Sequence, residues 1–114
     1  QKQPDQDQQI VFRNADSLFL ITVLEIVRCE SENNYTNFYL TDGRKLTVAK
    51  TLKEYERMFE NQPFLRSHQS HLIHLRHFDR YETRQGGTIY MKDGAMVPLA
   101  SRKKDALMEK LAHL

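Results

Sequence analysis

Short runs of alternating polarity, cut by turn signals, constrain this chain more than any other feature. Asn33-Asn34, Asp42-Gly43, Gln85-Gly86-Gly87 and Asp93-Gly94 tolerate the left-handed backbone that a tight reversal needs. Residues 24–31 are apolar at Ile26 and Val27 and then alternate, with Val27 and Cys29 expected on one face and Arg28 and Glu30 on the other. Residues 35–40 and 44–48 leave the next two turns as further strands, so residues 24–48 read as a three-stranded antiparallel meander. Upstream, residues 10–12 and 17–22 flank Asn14-Ala15-Asp16 and fit a hairpin. Downstream, residues 88–92 and 96–99 flank Asp93-Gly94, and Pro98 suits an edge strand. The run from His77 to Arg84 reads as a short turn entering a strand.

Two helices interrupt the β pattern. Thr51-Leu52-Lys53-Glu54 is a capping box, followed by Leu52, Tyr55, Met58 and Phe59 at helical spacing, with Pro63 as the stop. At the other end, Ser101 can cap a terminal helix whose Leu107, Leu111 and Leu114 form an apolar stripe. Arg102-Lys103-Lys104 open that helix against its macrodipole, a conflict that a bound anion would offset. The fold class is therefore mainly β: an elongated arrangement of small antiparallel sheets with two short flanking helices, at about 51–60 and 102–112.

The stretch from Phe64 to Leu75 has a different character. It mixes apolar anchors with Arg66, Ser67, His68, Gln69 and Ser70, a run of donors without one acidic residue, and reads as a protruding loop that hydrogen-bonds to a partner. Arg suits guanine and phosphate, Gln suits adenine, and Ser and His suit phosphate or sugar, which favours a nucleic acid over a small apolar ligand. With 17 basic and 15 acidic residues, any attraction to such a partner must come from local clustering.

The remaining classes narrow quickly. A length of 114 residues suits one domain. Residues 1–9 contain no apolar side chain and read as a linker remnant, leaving 10–114 as the domain; the opening Gln suggests another domain in front. Cys29, the only cysteine, excludes an intrachain disulfide and reads as a small core residue. No apolar run approaches the ~20 residues of a membrane span, so a cytoplasmic location is expected. No nucleophile elbow, zinc-protease, P-loop or dinucleotide pattern occurs, so neither catalysis nor a cofactor is expected.

Taken in order, Cys29-Glu30-Ser31-Glu32-Asn33-Asn34-Tyr35-Thr36, Asp42-Gly43-Arg44, Thr51-Leu52-Lys53-Glu54-Tyr55-Glu56, Phe64-Leu65-Arg66-Ser67-His68-Gln69-Ser70 and Val97-Pro98-Leu99-Ala100-Ser101-Arg102-Lys103-Lys104 resemble the LytTR domains of bacterial transcription regulators. The resemblance spans roughly residues 10–112. It implies sequence-specific binding to double-stranded DNA, as the output domain of a regulator with a receiver domain in front, through loops inserted in successive major grooves. It also implies a dimer on repeated half-sites in the full-length protein. Carried over by motif, the DNA contacts are Asn33, Asn34 and Tyr35; Arg66, His68, Gln69 and Ser70; and Ser101, Arg102 and Lys103. Gln69 falls at a base-reading position where relatives often carry Arg, Lys or Asn, and His74 stands where relatives usually have Asn.

A rival reading remains. His68, His71, His74 and His77 recur every three residues, which on a 3₁₀ turn would stack them on one face. A protein-binding or metal-sensing β domain could use residues 66–77 in that way, although no thiol or carboxylate stands beside them.

Overall fold

The structure is a computed structural model that describes residues 8–114. The linker reading of residues 1–7 lies outside the described residues. The fold begins earlier than the expected boundary at residue 10: β1 spans Gln9–Arg13 and pairs antiparallel with β2, Leu18–Thr22, Gln9 standing opposite Thr22. Gln8 is engaged as well, its carbonyl accepting from Val23 N–H at 2.8 Å.

The centre of the molecule is a five-stranded antiparallel sheet. It holds β3 (Ile26–Glu32), β4 (Tyr35–Leu40), β5 (Lys45–Val48), β6 (Phe64–His68) and β7 (His71–His74), in the order β5-β4-β3-β7-β6. The expected meander is the first three of these. Residues 64–74 of the stretch expected as a protruding loop are instead a β-hairpin with only Gln69 and Ser70 outside its strands. The apolar positions that flank the donors pair with β3 and lock the segment into the sheet, Leu72 opposite Cys29 and Ile73 opposite Arg28.

Each face of this sheet carries a core. On one side, the β1–β2 hairpin and helix α1 (Leu52–Met58) bury Phe12, Ile21, Cys29, Phe38, Tyr55 and Phe59. On the other side lie a three-stranded sheet of β8 (Phe78–Glu82), β9 (Thr88–Met91) and β10 (Met96–Pro98), with Pro98 on an edge strand, and helix α2 (Lys104–Ala112). They bury Val27, Leu65, Ile73, Ile89, Val97 and Leu107. The body is broad in two directions and thin in the third, 42 × 40 × 24 Å.

Several local expectations give way to packing. Val27 and Cys29 do not share a core: β3 carries a bulge between Ile26 and Arg28, and the extra residue, Val27, joins the second core while Ile26 and Cys29 stay in the first. The strand opens at Ile26 because Val23–Glu25 form a 3₁₀ turn. The capping box forms, with Thr51 Oγ1 accepting from Glu54 N–H, but the helix stops at Met58 and leaves that side chain exposed. Ser101 does not cap α2. It opens a 3₁₀ turn, Ser101–Lys103, which puts Lys103 at the cap position without a side-chain bond. Of the expected stripe on α2, Leu107 is buried and Leu114 is exposed.

Candidate nucleic-acid interface

Antiparallel pairing decides which ends of the chain meet. The β3–β4 turn at Asn33-Asn34 and the β6–β7 turn at Gln69-Ser70 leave the sheet at the same end, because β3 pairs antiparallel with both β4 and β7. A backbone hydrogen bond joins them directly, from Ser31 N–H to Ser70 O at 3.0 Å. With strands spaced at about 4.8 Å, the two turns stand about 10 Å apart.

The third segment is tied to the same end. β6 has one extra residue between Leu65 and His68, and the bulge takes Ser67 out of the ladder with β7. Its carbonyl accepts instead from Ala100 N–H at 2.8 Å, which seats the Ser101–Lys103 turn against this edge strand. Ser67 is fully buried here, contrary to its place in an exposed run of donors. A small side chain lets the two backbones approach. Chain geometry then limits the Gln69–Arg102 Cα separation to about 20 Å.

Within the first segment, Asn33 takes φ 55, the left-handed conformation that asparagine tolerates, and Asn33, Asn34 and Tyr35 are exposed. Beneath them a polar chain crosses three strands: Thr47 Oγ1 donates to Asn37 Oδ1 at 2.6 Å, and Asn37 Nδ2 donates to Glu32 Oε1 at 2.9 Å. Asn37 is buried, so this amide, bonded at both its oxygen and its nitrogen, fixes the hairpin end.

The second segment divides between holding and presenting. Arg66 donates to His68 O at 3.2 Å, to Gln69 O at 2.6 Å and to Glu56 Oε1 of α1 at 2.7 Å. His68 Nδ1 accepts from Ser70 N–H at 3.1 Å. Both side chains expected to contact DNA are thus engaged in shaping the turn. Gln69 is its exposed residue; Ser70 is half-buried.

In the third segment Ser101 and Arg102 are exposed and Lys103 is half-buried. Neither Ser101 at the start of the 3₁₀ turn nor Lys103 at the cap of α2 closes the first turn of that helix with a side chain. The preceding turn uses the backbone amides, Lys103 N–H donating to Ala100 O at 2.8 Å and Lys104 N–H to Ser101 O, so this segment presents side chains rather than a helix start.

The histidines do not form one row. Only His77 belongs to a 3₁₀ turn, Leu75–His77; His68 and His71 lie on strands, and the rings meet as two pairs, His68–His71 at 5.7 Å and His74–His77 at 5.3 Å. Burial pushes the His74 imidazole down to about 3, helped by the charges of His77 and Arg76. Burial also lowers His71. His74 Nδ1 accepts from Arg76 N–H, and the His77 ring donates to Leu24 O. Among the described residues no three His, Cys, Asp or Glu side chains are grouped to hold a metal ion. Burial drives the Cys29 thiol well above its usual value, which disfavours the thiolate.

The sequence matches the LytTr DNA-binding domain family over residues 16–112. The chain belongs to the LytTR family. It is a DNA-binding domain, of a family that is not one of enzymes. No curated protein matches it. Among solved structures the LytTR fold is shared with the LytTr DNA-binding domain of a Bacillus cereus protein assigned as a methyl-accepting/DNA response regulator. The two are 16% identical, with a TM-score of 0.77 over 90% of this chain and 95% of the other. Among the described residues no helix is long and apolar enough to cross a membrane.

Two residues at this end of the LytTR fold escaped the sequence reading. Lys50 is exposed beside the first turn, because Thr36 Oγ1 donates to its carbonyl at 2.7 Å. Only the pairing of β5 with β4 brings it there. Glu56 stood inside a motif of the resemblance, but no local signal linked it to Arg66.

Proposed function

We propose that this LytTR domain reads the sequence of double-stranded DNA, with residues 33–35, 66–70 and 101–103 facing one side of the duplex. The supporting observation is the pair of backbone bonds, Ser31 N–H to Ser70 O and Ala100 N–H to Ser67 O, that gathers three distant segments at one end of a sheet. Gln69 and Arg102 contact base edges, Gln offering a bidentate amide to adenine and Arg a fork to guanine. Asn33, Asn34, Tyr35, Ser70, Ser101 and Lys103 set the register on phosphate and sugar. Arg66 and His68 contribute by holding the second turn.

Distance bears on the grooves used. Major grooves about 12 Å wide recur every ~34 Å, so the nearest edges of successive grooves on one face lie about 22 Å apart. The Gln69–Arg102 limit of about 20 Å, extended by both side chains, is compatible with two such grooves, more easily if the duplex bends toward the protein. The protein thereby acts as the output domain of a bacterial response regulator, in the cytoplasm where its DNA is. A receiver domain stands in front, the residues before Gln8 serve as linker, and the full-length protein dimerises on repeated half-sites. The assignment of the Bacillus cereus protein supports that role.

The test begins with duplexes selected from a random pool. Gln69→Ala and Arg102→Ala are each expected to cost about 1–3 kcal/mol at one base position, with little change on a scrambled duplex. Equal losses on both duplexes would contradict base reading.

A further inference from the structure

Helix α1 carries none of the DNA-facing segments, yet one of its side chains reaches them. Glu56 Oε1 takes Arg66 Nη1–H at 2.7 Å, while Nε and Nη2 of the same guanidinium hold His68 O and Gln69 O. One planar cation therefore fixes two carbonyls of the turn relative to a helix outside it. The place of that helix is set by buried aromatic contacts: Tyr55 meets Phe38 at 4.6 Å between ring centroids, and Phe59 stacks on Phe64, the first residue of β6, at 4.6 Å. A cavity of about 190 Å³ between α1, β6 and α2 is lined by Glu56, Arg66, Lys103 and Lys110, so the carboxylate also stands near a cation of the third segment.

We propose that Glu56 is a positioning residue for base reading: it holds Arg66, and Arg66 holds the turn in the shape that presents the Gln69 amide. The proposal rests on Gln69 being a base contact. It departs in sign from what charge alone dictates. A carboxylate near DNA repels phosphate, so neutralising it should tighten binding to every duplex. Removing a brace instead loosens the turn and weakens the matched duplex alone.

The experiment measures affinity of the full chain for a pool-selected duplex and a scrambled one, for Glu56→Gln, Arg66→Ala, their combination and Gln69→Ala. Glu56 is partly exposed, its side chain 44% accessible, so the fold survives the change. We expect Glu56→Gln to lower the matched-to-scrambled ratio about tenfold, within the range for residues coupled in one hydrogen-bond network, without weakening the scrambled duplex. The double variant should lose no more than Arg66→Ala alone, and the backbone amide resonances of Gln69 and Ser70 should move in Glu56→Gln. Tighter binding to both duplexes, fully additive losses or unmoved resonances would overturn the role of Glu56. A loss of discrimination in Gln69→Ala beside an unchanged ratio in Glu56→Gln rejects Glu56 alone, whereas equal losses on both duplexes in Gln69→Ala reject the base-reading premise.

Discussion

Arg66 and Arg102 occur in two motifs at one end of the molecule and are held in opposite ways. The Arg66 side chain is 20% exposed, and its guanidinium is committed to three acceptors inside the protein. Arg102 is exposed and, among the described residues, forms neither an ion pair nor a side-chain hydrogen bond. On the proposed reading of DNA, the first shapes the neighbour that meets a base, and the second meets one itself. The cost of order falls at different times: the Gln69 turn is organised before DNA arrives, whereas Arg102 must give up side-chain freedom of about 2 kcal/mol on contact. A basic residue in a DNA-binding motif is therefore weak evidence of contact until its partners are known.

The comparison breaks most severely at α2, which carries the third segment and is fixed by one fully buried side chain, Leu107. Leu107→Ala should cost about 2–5 kcal/mol of stability in urea denaturation. In the protein that remains folded, discrimination at the base read by Arg102 should fall further than at the base read by Gln69. Equal losses at both would show that the braced turn depends on α2 as much as the free segment does.

A smaller effect probes the foot of the β6–β7 hairpin. His74 packs against Phe64 at 4.5 Å between rings and stays neutral in the fold down to about pH 3, whereas in the unfolded chain it takes a proton near its ordinary value of 6.5. Between those values the unfolded state binds more protons, so stability is full above pH 6.5 and falls as pH drops. The slope is about 1.4 kcal/mol per pH unit. Denaturation at pH 7.5 and 5.5 checks this, and His74→Asn, which keeps an acceptor for Arg76 N–H, should flatten the acid limb.

What the chain reveals of itself divides along the same line. Asn33-Asn34, Asp42-Gly43 and the Thr51–Glu54 box act within a few residues, and the hairpins and helix they specify stand where local chemistry puts them. Val27 leaves its expected core because a bulge in β3 is set by its neighbours, and Ser67 is buried because Ala100 needs its carbonyl. Arg66 reads as a contact residue by type. Its true partner, Glu56, arrives through aromatic packing of α1 on the sheet, which no short motif encodes. The three segments themselves came from family resemblance; what gathers them at one end, the antiparallel order β4-β3-β7-β6, required the structure.

The smallest effect concerns Lys50, whose position beside the first turn is likewise a product of strand pairing. Its exposed ammonium suits phosphate and carries no sequence information as a point charge. Lys50→Ala should weaken matched and scrambled duplexes alike and lower the slope of log affinity against log salt by about 1. That places Lys50 with Arg102, neither of which forms an ion pair among the described residues, and apart from Arg66, because a brace lost at constant contact number leaves the salt slope as it was. If Arg66→Ala also lowers the slope by about 1, its guanidinium reaches phosphate after all, and the division between a holding and a reading arginine fails.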